Sequence, residues 1–187
     1  MTTTVSAGEG VPSAAPSSFA GLTLDRPRLM AVINATPDSF SDGGEAFAVE
    51  DAVRRGRVFL AEGADILDIG GESTRPGAEP VPVAEEIRRV VPVIEALVAE
   101  GALISVDSRR AEVMRAAVNA GARIINDVSA LQGDGALAAA AELAVPVILM
   151  HMQGEPGTMQ DNPTYDDVVA EVRDGLLARA RACRDAG

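Results

Sequence analysis

The sequence predicts an α/β fold made of parallel strand–helix units, about five of the eight that would close a parallel barrel. Three observations point there. Short apolar runs of strand length alternate with longer segments of helical period. The runs are apolar on both faces, as strands of a parallel sheet covered by helices are. Polar, acidic and glycine residues follow every run, whereas an open doubly wound sheet would gather them at one switch point.

The first 18 residues are rich in Thr, Ser, Ala, Gly and Pro, and read as a flexible N-terminal extension. With no basic start and no hydrophobic segment, they make a poor signal peptide. Residues 19–187 are predicted as one barrel-type domain. Residues 19–24 alternate weakly and suggest a short strand or a lid. Strands are then predicted at 29–33, 66–69, 103–106, 123–126 and 147–150. Helices are predicted at 49–62, 83–100, 109–120, 135–143 and 165–184. In the second helix Ile87, Val90, Val91, Ile94, Leu97 and Val98 recur at intervals of three and four, as one buried face requires. Pro82 suits its first turn, while Pro92 lies inside the pattern and is expected to kink the helix or weaken it. Gly63, Gly101 and Gly121 each follow a helix just before the next strand, where a left-handed residue closes the helix. Ser108 and Thr164 are the expected N-caps of the helices after them.

At −12 the net charge argues against nucleic acid, which needs a basic surface, but leaves room for a small anionic ligand held by an arginine or by backbone amides. Cys183 is the sole cysteine, so no intrachain disulfide forms and a cytoplasmic location is expected. The apolar runs are too short to span a membrane.

The strand ends supply the candidate site. Behind the first strand comes Asn34-Ala35-Thr36-Pro37-Asp38-Ser39-Phe40-Ser41-Asp42-Gly43-Gly44, more polar than a connection needs. The Asn34 amide oxygen is a suitable hard ligand for Mg²⁺, which takes few protein groups. Asp38 and Asp42 read equally as turn formers and as functional carboxylates. Phe40 suits a loop that closes over something apolar. Arg75, between Thr74 and Pro76, is placed to grip an anion through paired hydrogen bonds. Asp107 ends a buried strand and needs a partner such as the amino edge of a ring; Asn126 offers both donor and acceptor to the same kind of edge. Taken singly, each also reads as a cap or an inter-strand contact. His151, the lone histidine, reads as structural, and Met150 and Met152 as core residues that would also suit a flat ligand. No nucleophile elbow, dinucleotide fingerprint or Walker pattern is present.

At these residues the sequence resembles the dihydropteroate synthase family of folate biosynthesis, from about Leu22 to the last residue. The stretch 34–43 looks like that family's first signature, and Ala64-Asp65-Ile66-Leu67-Asp68-Ile69-Gly70-Gly71-Glu72-Ser73-Thr74-Arg75-Pro76-Gly77 like its second. Ser105-Val106-Asp107, Ile124-Ile125-Asn126-Asp127 and Leu149-Met150-His151-Met152 fall where its third to fifth strands end. The resemblance implies a TIM barrel that joins 6-hydroxymethyl-7,8-dihydropterin diphosphate to 4-aminobenzoate with release of pyrophosphate. It implies Asn34 on a Mg²⁺ carried by the diphosphate, Asp107 and Asn126 on the pterin ring, and Met150 packed nearby. Thr74 and Arg75 would lie near the diphosphate and the aminobenzoate, flanked by Phe40 and Pro76, with Asp38 and Asp42 on a closing loop. A homodimer is implied for the complete enzyme. The family's sixth strand and the pocket residues behind it lie past Gly187, so these residues alone are expected to be inactive or poorly soluble. Two other readings share the Asp and Asn contacts: a pterin-binding methyltransferase module, and a non-catalytic paralogue that binds pterin or a partner.

Overall fold

The computed structural model of the chain describes residues 17–36, 44–73 and 80–187. A two-stranded hairpin, β1 (Ser18–Phe19) and β2 (Leu22–Thr23), precedes the sheet, turning on Ala20 and Gly21 at positive φ. It is not a lid. Asp65, just ahead of the second sheet strand, accepts hydrogen bonds from Arg26, Arg28 and the Leu29 amide, and Arg28 also donates to Thr23. The hairpin is thereby tied to the N-terminal end of the sheet, opposite the candidate site. The Arg26 hydrogen bond, followed by that from Leu29, holds the Asp65 carboxyl down to about 2.

Five parallel strands follow: β3 (Met30–Asn34), β4 (Ile66–Gly70), β5 (Ile104–Asp107), β6 (Ile124–Asp127) and β7 (Val147–Leu149). They lie side by side in chain order, which is barrel-type winding; a doubly wound sheet would reverse direction partway. The helices between and after them are α1 (Gly44–Ala61), α2 (Val83–Ala99), α3 (Ala111–Asn119), α4 (Ala136–Leu143) and α5 (Val168–Ala186). All five predicted strands form, with edges shifted by a residue or so.

Period-two alternation sorts the sheet into two faces. Ile33, Ile69, Val106 and Ile125 share one row, Leu67 and Ile104 the next of the same parity, and all are buried in the core with α1, α2 and α3. On α2 the buried face is Glu86, Val90, Val93, Ile94 and Leu97, while Ile87, Val91 and Val98 pack at its margin. The helix runs through Pro92 unbroken. Gly63, Gly101 and Gly121 are left-handed, as their position before each strand requires.

Both expected caps are displaced. The N-cap of α3 is Arg110, with Ser108, two residues earlier, accepting the Arg110 amide. That of α5 is Asp167, which accepts from Ala170 while Glu171 accepts the Asp167 amide in return. Thr164 instead exchanges backbone hydrogen bonds with the Gln153 side chain.

Gly71, just past the end of β4, lies against α2. A Cβ there would meet Val90 Cγ1 at 2.9 Å and the Glu86 carbonyl at 3.1 Å. Gly71→Ala should therefore destabilise the protein by about 1–3 kcal/mol through overpacking, seen as a lower denaturation midpoint at unchanged slope; an unchanged midpoint would show that α2 can yield.

Candidate functional site

The register places Asn34, Gly70, Asp107 and Asn126 in one row, at the C-terminal ends of four adjacent strands. By parity this row lies on the face turned away from the covering helices. Two residues down the same face, Asp68 pairs with Ser105. Asp68 is 2% exposed, and its Oδ2 accepts a hydrogen bond from Asn126 Nδ2 at 2.9 Å. That bond reaches from β4 to β6, over β5. Strands two apart lie about 10 Å apart in a flat sheet, and upright side chains would not meet across that gap. The contact therefore requires the sheet to curl toward this face, as a barrel wall does.

Gly70 makes room at the centre of the row. A Cβ there would meet Asp107 Oδ2 at 3.5 Å, an ordinary contact, so glycine leaves the carboxyl open on that side. Asp107 accepts no hydrogen bond from the described residues. Burial, reinforced by Asp68, Asp127, Glu86 and Glu72, pushes its carboxyl up to about 7. Asp68 is raised by burial too, with Ser105 and Asn126 opposing. Of these two the Asn126 bond is formed, whereas Ser105 Oγ and Asp68 Oδ1 are buried without a hydrogen-bond partner.

Asp127, next in the strand, faces the other way. It is buried and accepts the amides of Ser129 and Leu131, at 2.7 and 2.8 Å, across a turn that holds Ala130 and Leu131 at positive φ. Its backbone carbonyl also accepts the Met150 amide, which sets half-buried Met150 at the end of β7. His151 keeps the structural role expected of it: Nε2 lies 3.1 Å from the Tyr165 hydroxyl and the ring packs on Gly175.

Behind the row is an ion cluster. Glu72 accepts from Arg109 and Arg110 and from the Val81 amide. Arg110 also bonds the Val81 carbonyl and lies 3.2 Å from Glu86, whose other oxygen accepts the Ser108 hydroxyl at 2.7 Å. Arg89 donates to the Gly71 carbonyl. The residues on either side of segment 74–79 are thus clamped to one carboxylate. A cavity of about 460 Å³ beside the cluster is lined by Arg109, Arg110, Ser129, Gln132, Met152 and Glu155 among others, and not by the row.

Of the predicted site residues, Asn34, Asp107 and Asn126 come together as expected, with Met150 at the end of the neighbouring strand β7. Asp38, Phe40, Asp42, Thr74, Arg75 and Pro76 lie outside the described residues. Sequence reasoning passed over Asp68 and Glu86. Both carried a signal: a carboxylate inside an otherwise apolar strand, and one in phase with an apolar helical face.

Such an arrangement suits a planar ring with hydrogen-bonding edges, and comparison with known proteins agrees in kind. Residues 30–187 match the family described as pterin binding enzyme, and the chain belongs to it. The relatives are more particular. The chain is 50% identical over 167 residues to the dihydropteroate synthase of Escherichia coli K12, a match covering 89% of this chain and 59% of that protein. Dihydropteroate synthase of Xanthomonas albilineans with 4-aminobenzoic acid superposes with a TM-score of 0.81 at 61% identity, over 89% and 59% of the two chains. The same enzyme in complex with 7,8-dihydropteroate gives 0.76 at 56% identity, over 89% and 58%. The chain spans about three-fifths of the length of each of these relatives.

The raised carboxyl yields a signed stability prediction. A folded-state value above the unfolded one means ionisation of Asp107 costs stability, so stability falls as pH rises from the unfolded value of about 3.8 to about 7, then levels. Asp107→Asn should raise the melting temperature at pH 8 by roughly 2–4 °C per kcal/mol relieved, and the gain should vanish near pH 3.5. A gain independent of pH would rule out the partly buried charge as its cause.

Proposed function

We propose that this protein acts as a dihydropteroate synthase, joining 6-hydroxymethyl-7,8-dihydropterin diphosphate to 4-aminobenzoate. The observation that carries the reading is the row of Asn34, Gly70, Asp107 and Asn126, with Asp68 beneath it, on the inward face of a barrel-type sheet. Membership of the pterin-binding family and the ligands in the two Xanthomonas albilineans structures support it.

The pterin ring would lie against this face. As a carboxylate, Asp107 accepts from the ring's N–H groups, and binding such donors draws its raised carboxyl into the ionised form. Asn126 supplies an amide for the adjoining positions of the edge, and Met150 offers apolar contact. In the reaction the carbon–oxygen bond between the pterin methylene and the diphosphate breaks, its electron pair leaving with pyrophosphate. The amine nitrogen of 4-aminobenzoate forms the new carbon–nitrogen bond and then loses a proton to solvent. The neutral arylamine needs no strong base, in keeping with the structural role of His151. Thr74 and Arg75 are assigned to the diphosphate by resemblance to the family.

Mg²⁺ is part of the same reading. Among the described residues no cluster of three or more acidic, His or Cys side chains forms a self-sufficient metal cage. Asn34, exposed at the head of β3, fits an ion that takes one protein oxygen and otherwise keeps water and substrate phosphate. When bound, the ion would neutralise charge on the departing diphosphate. Homodimerisation and a cytoplasmic location complete the proposal; no helix among the described residues is long and apolar enough to cross a membrane.

Pyrophosphate release on mixing both substrates with the full-length protein tests the reading, and release only with 4-aminobenzoate present is the expected result. Pterin binding without release would favour the non-catalytic alternative. Asp107→Ala should weaken pterin binding by about 10–100-fold, and Asn34→Ala should weaken diphosphate binding only when Mg²⁺ is present. Unchanged affinities in calorimetry would remove those residues from their roles.

A further inference from the structure

We propose that Asp68 is a positioning residue for the ring: its carboxylate takes one amide hydrogen of Asn126 and so fixes which groups Asn126 presents to the ligand. This rests on the pterin-binding reading and goes beyond it, because Asp68 lies a layer below the row and acts through another side chain.

An asparagine amide is nearly symmetric in shape, and its two ends differ only in what they bond. Left alone at a half-buried strand end, it could turn either end to the pocket. Asp68 removes the choice. Its Oδ2 lies 2.9 Å from Asn126 Nδ2, and turning the amide over would set two acceptor oxygens against each other in a buried site. With Nδ2 held by one hydrogen, Asn126 offers Oδ1 as an acceptor and the second Nδ2 hydrogen as a donor, in one arrangement. Asp107, between the two on β5, adds an acceptor when ionised. The three residues then form a fixed pattern that a ring edge with alternating donors and acceptors can match and a reversed edge cannot.

A merely structural Asp68 would look different. A buried carboxylate retained for stability has both oxygens satisfied, as Asp127 does with two backbone amides. Asp68 instead keeps Oδ1 without a hydrogen-bond partner, and so does the hydroxyl of Ser105, its register partner on β5. Such a group costs stability. Its one formed bond goes to a residue of the row.

The test is a double-mutant cycle on the full-length protein, with pterin (2-amino-4-oxopteridine) as the calorimetric probe. Asp68→Val, which suits a strand and has no acceptor, should bind pterin about 10-fold more weakly without a lower melting temperature. Asp68→Asn keeps an acceptor and should stay within about 3-fold of wild type. In an Asn126→Ala background, Asp68→Val should have no further effect, since the side chain it orients is gone. Equal losses in both backgrounds, or wild-type affinity in Asp68→Val, would overturn the inference while leaving the pterin site in place. Asp68→Ala replaces Asp68→Val in the cycle if the latter does not fold. A wild-type protein that binds no pterin would overturn the functional reading itself, and this inference with it.

Discussion

Everything at the candidate site depends on the in-register parallel pairing of β3 to β6. Because side chains alternate with a strict period of two, that pairing sends Ile33, Ile69, Val106 and Ile125 to the helices, and Asn34, Gly70, Asp107 and Asn126 to the opposite face. A slip of one residue on β3, β5 or β6 would turn Asn34, Asp107 or Asn126 toward the apolar core. The apolar packing that stabilises the sheet is therefore the same constraint that lines up the polar row. Curling of the sheet then lets residues two strands apart touch, as Asp68 and Asn126 do.

The electrostatics divide along the same line. Behind the row, Glu72 and Glu86 are met by Arg109 and Arg110, so four charges largely satisfy one another, and Glu72 also accepts the Val81 amide. On the inward face no arginine reaches Asp107 among the described residues, and its carboxyl is held up by burial and by the surrounding carboxylates. A charge that is costly when the site is empty and relieved by a donor-bearing ligand is a common way to make a polar pocket selective. The same layout leaves the apolar inner face of β3 open, with Val32 50% exposed.

Much of this was legible in the sequence because it is local. Strand and helix alternation follows from periodicity, and glycine before each strand marks the helix ends. Asn34, Asp107 and Asn126 stand at strand ends that the apolar runs define within a residue. What escaped was set by tertiary contact. Ser108 and Thr164 have the right chemistry to cap, but the Ser108 hydroxyl donates to Glu86 across the fold, the Thr164 backbone is held by the Gln153 side chain, and the helices begin after Arg110 and Asp167. Residues 19–24 read equally as a short strand or a lid from the sequence, and it is the contacts of Asp65 and Arg28 that tie the hairpin to the N-terminal end of the sheet. Asp68 stands out as a carboxylate in an apolar strand, but its partner is 58 residues away on a strand it does not pair with, so its contact is not legible in the sequence.

The most direct test of the central claim, that the inward row is the ring-binding surface, is a crystal structure of the full-length protein with bound pterin. The account predicts the ring against β5 and β6, with Asp107 and Asn126 in hydrogen-bond contact with its edge and Asp68 still bonded to Asn126. A ring seated instead in the cavity beside Arg109 and Gln132, with the row untouched, would contradict it.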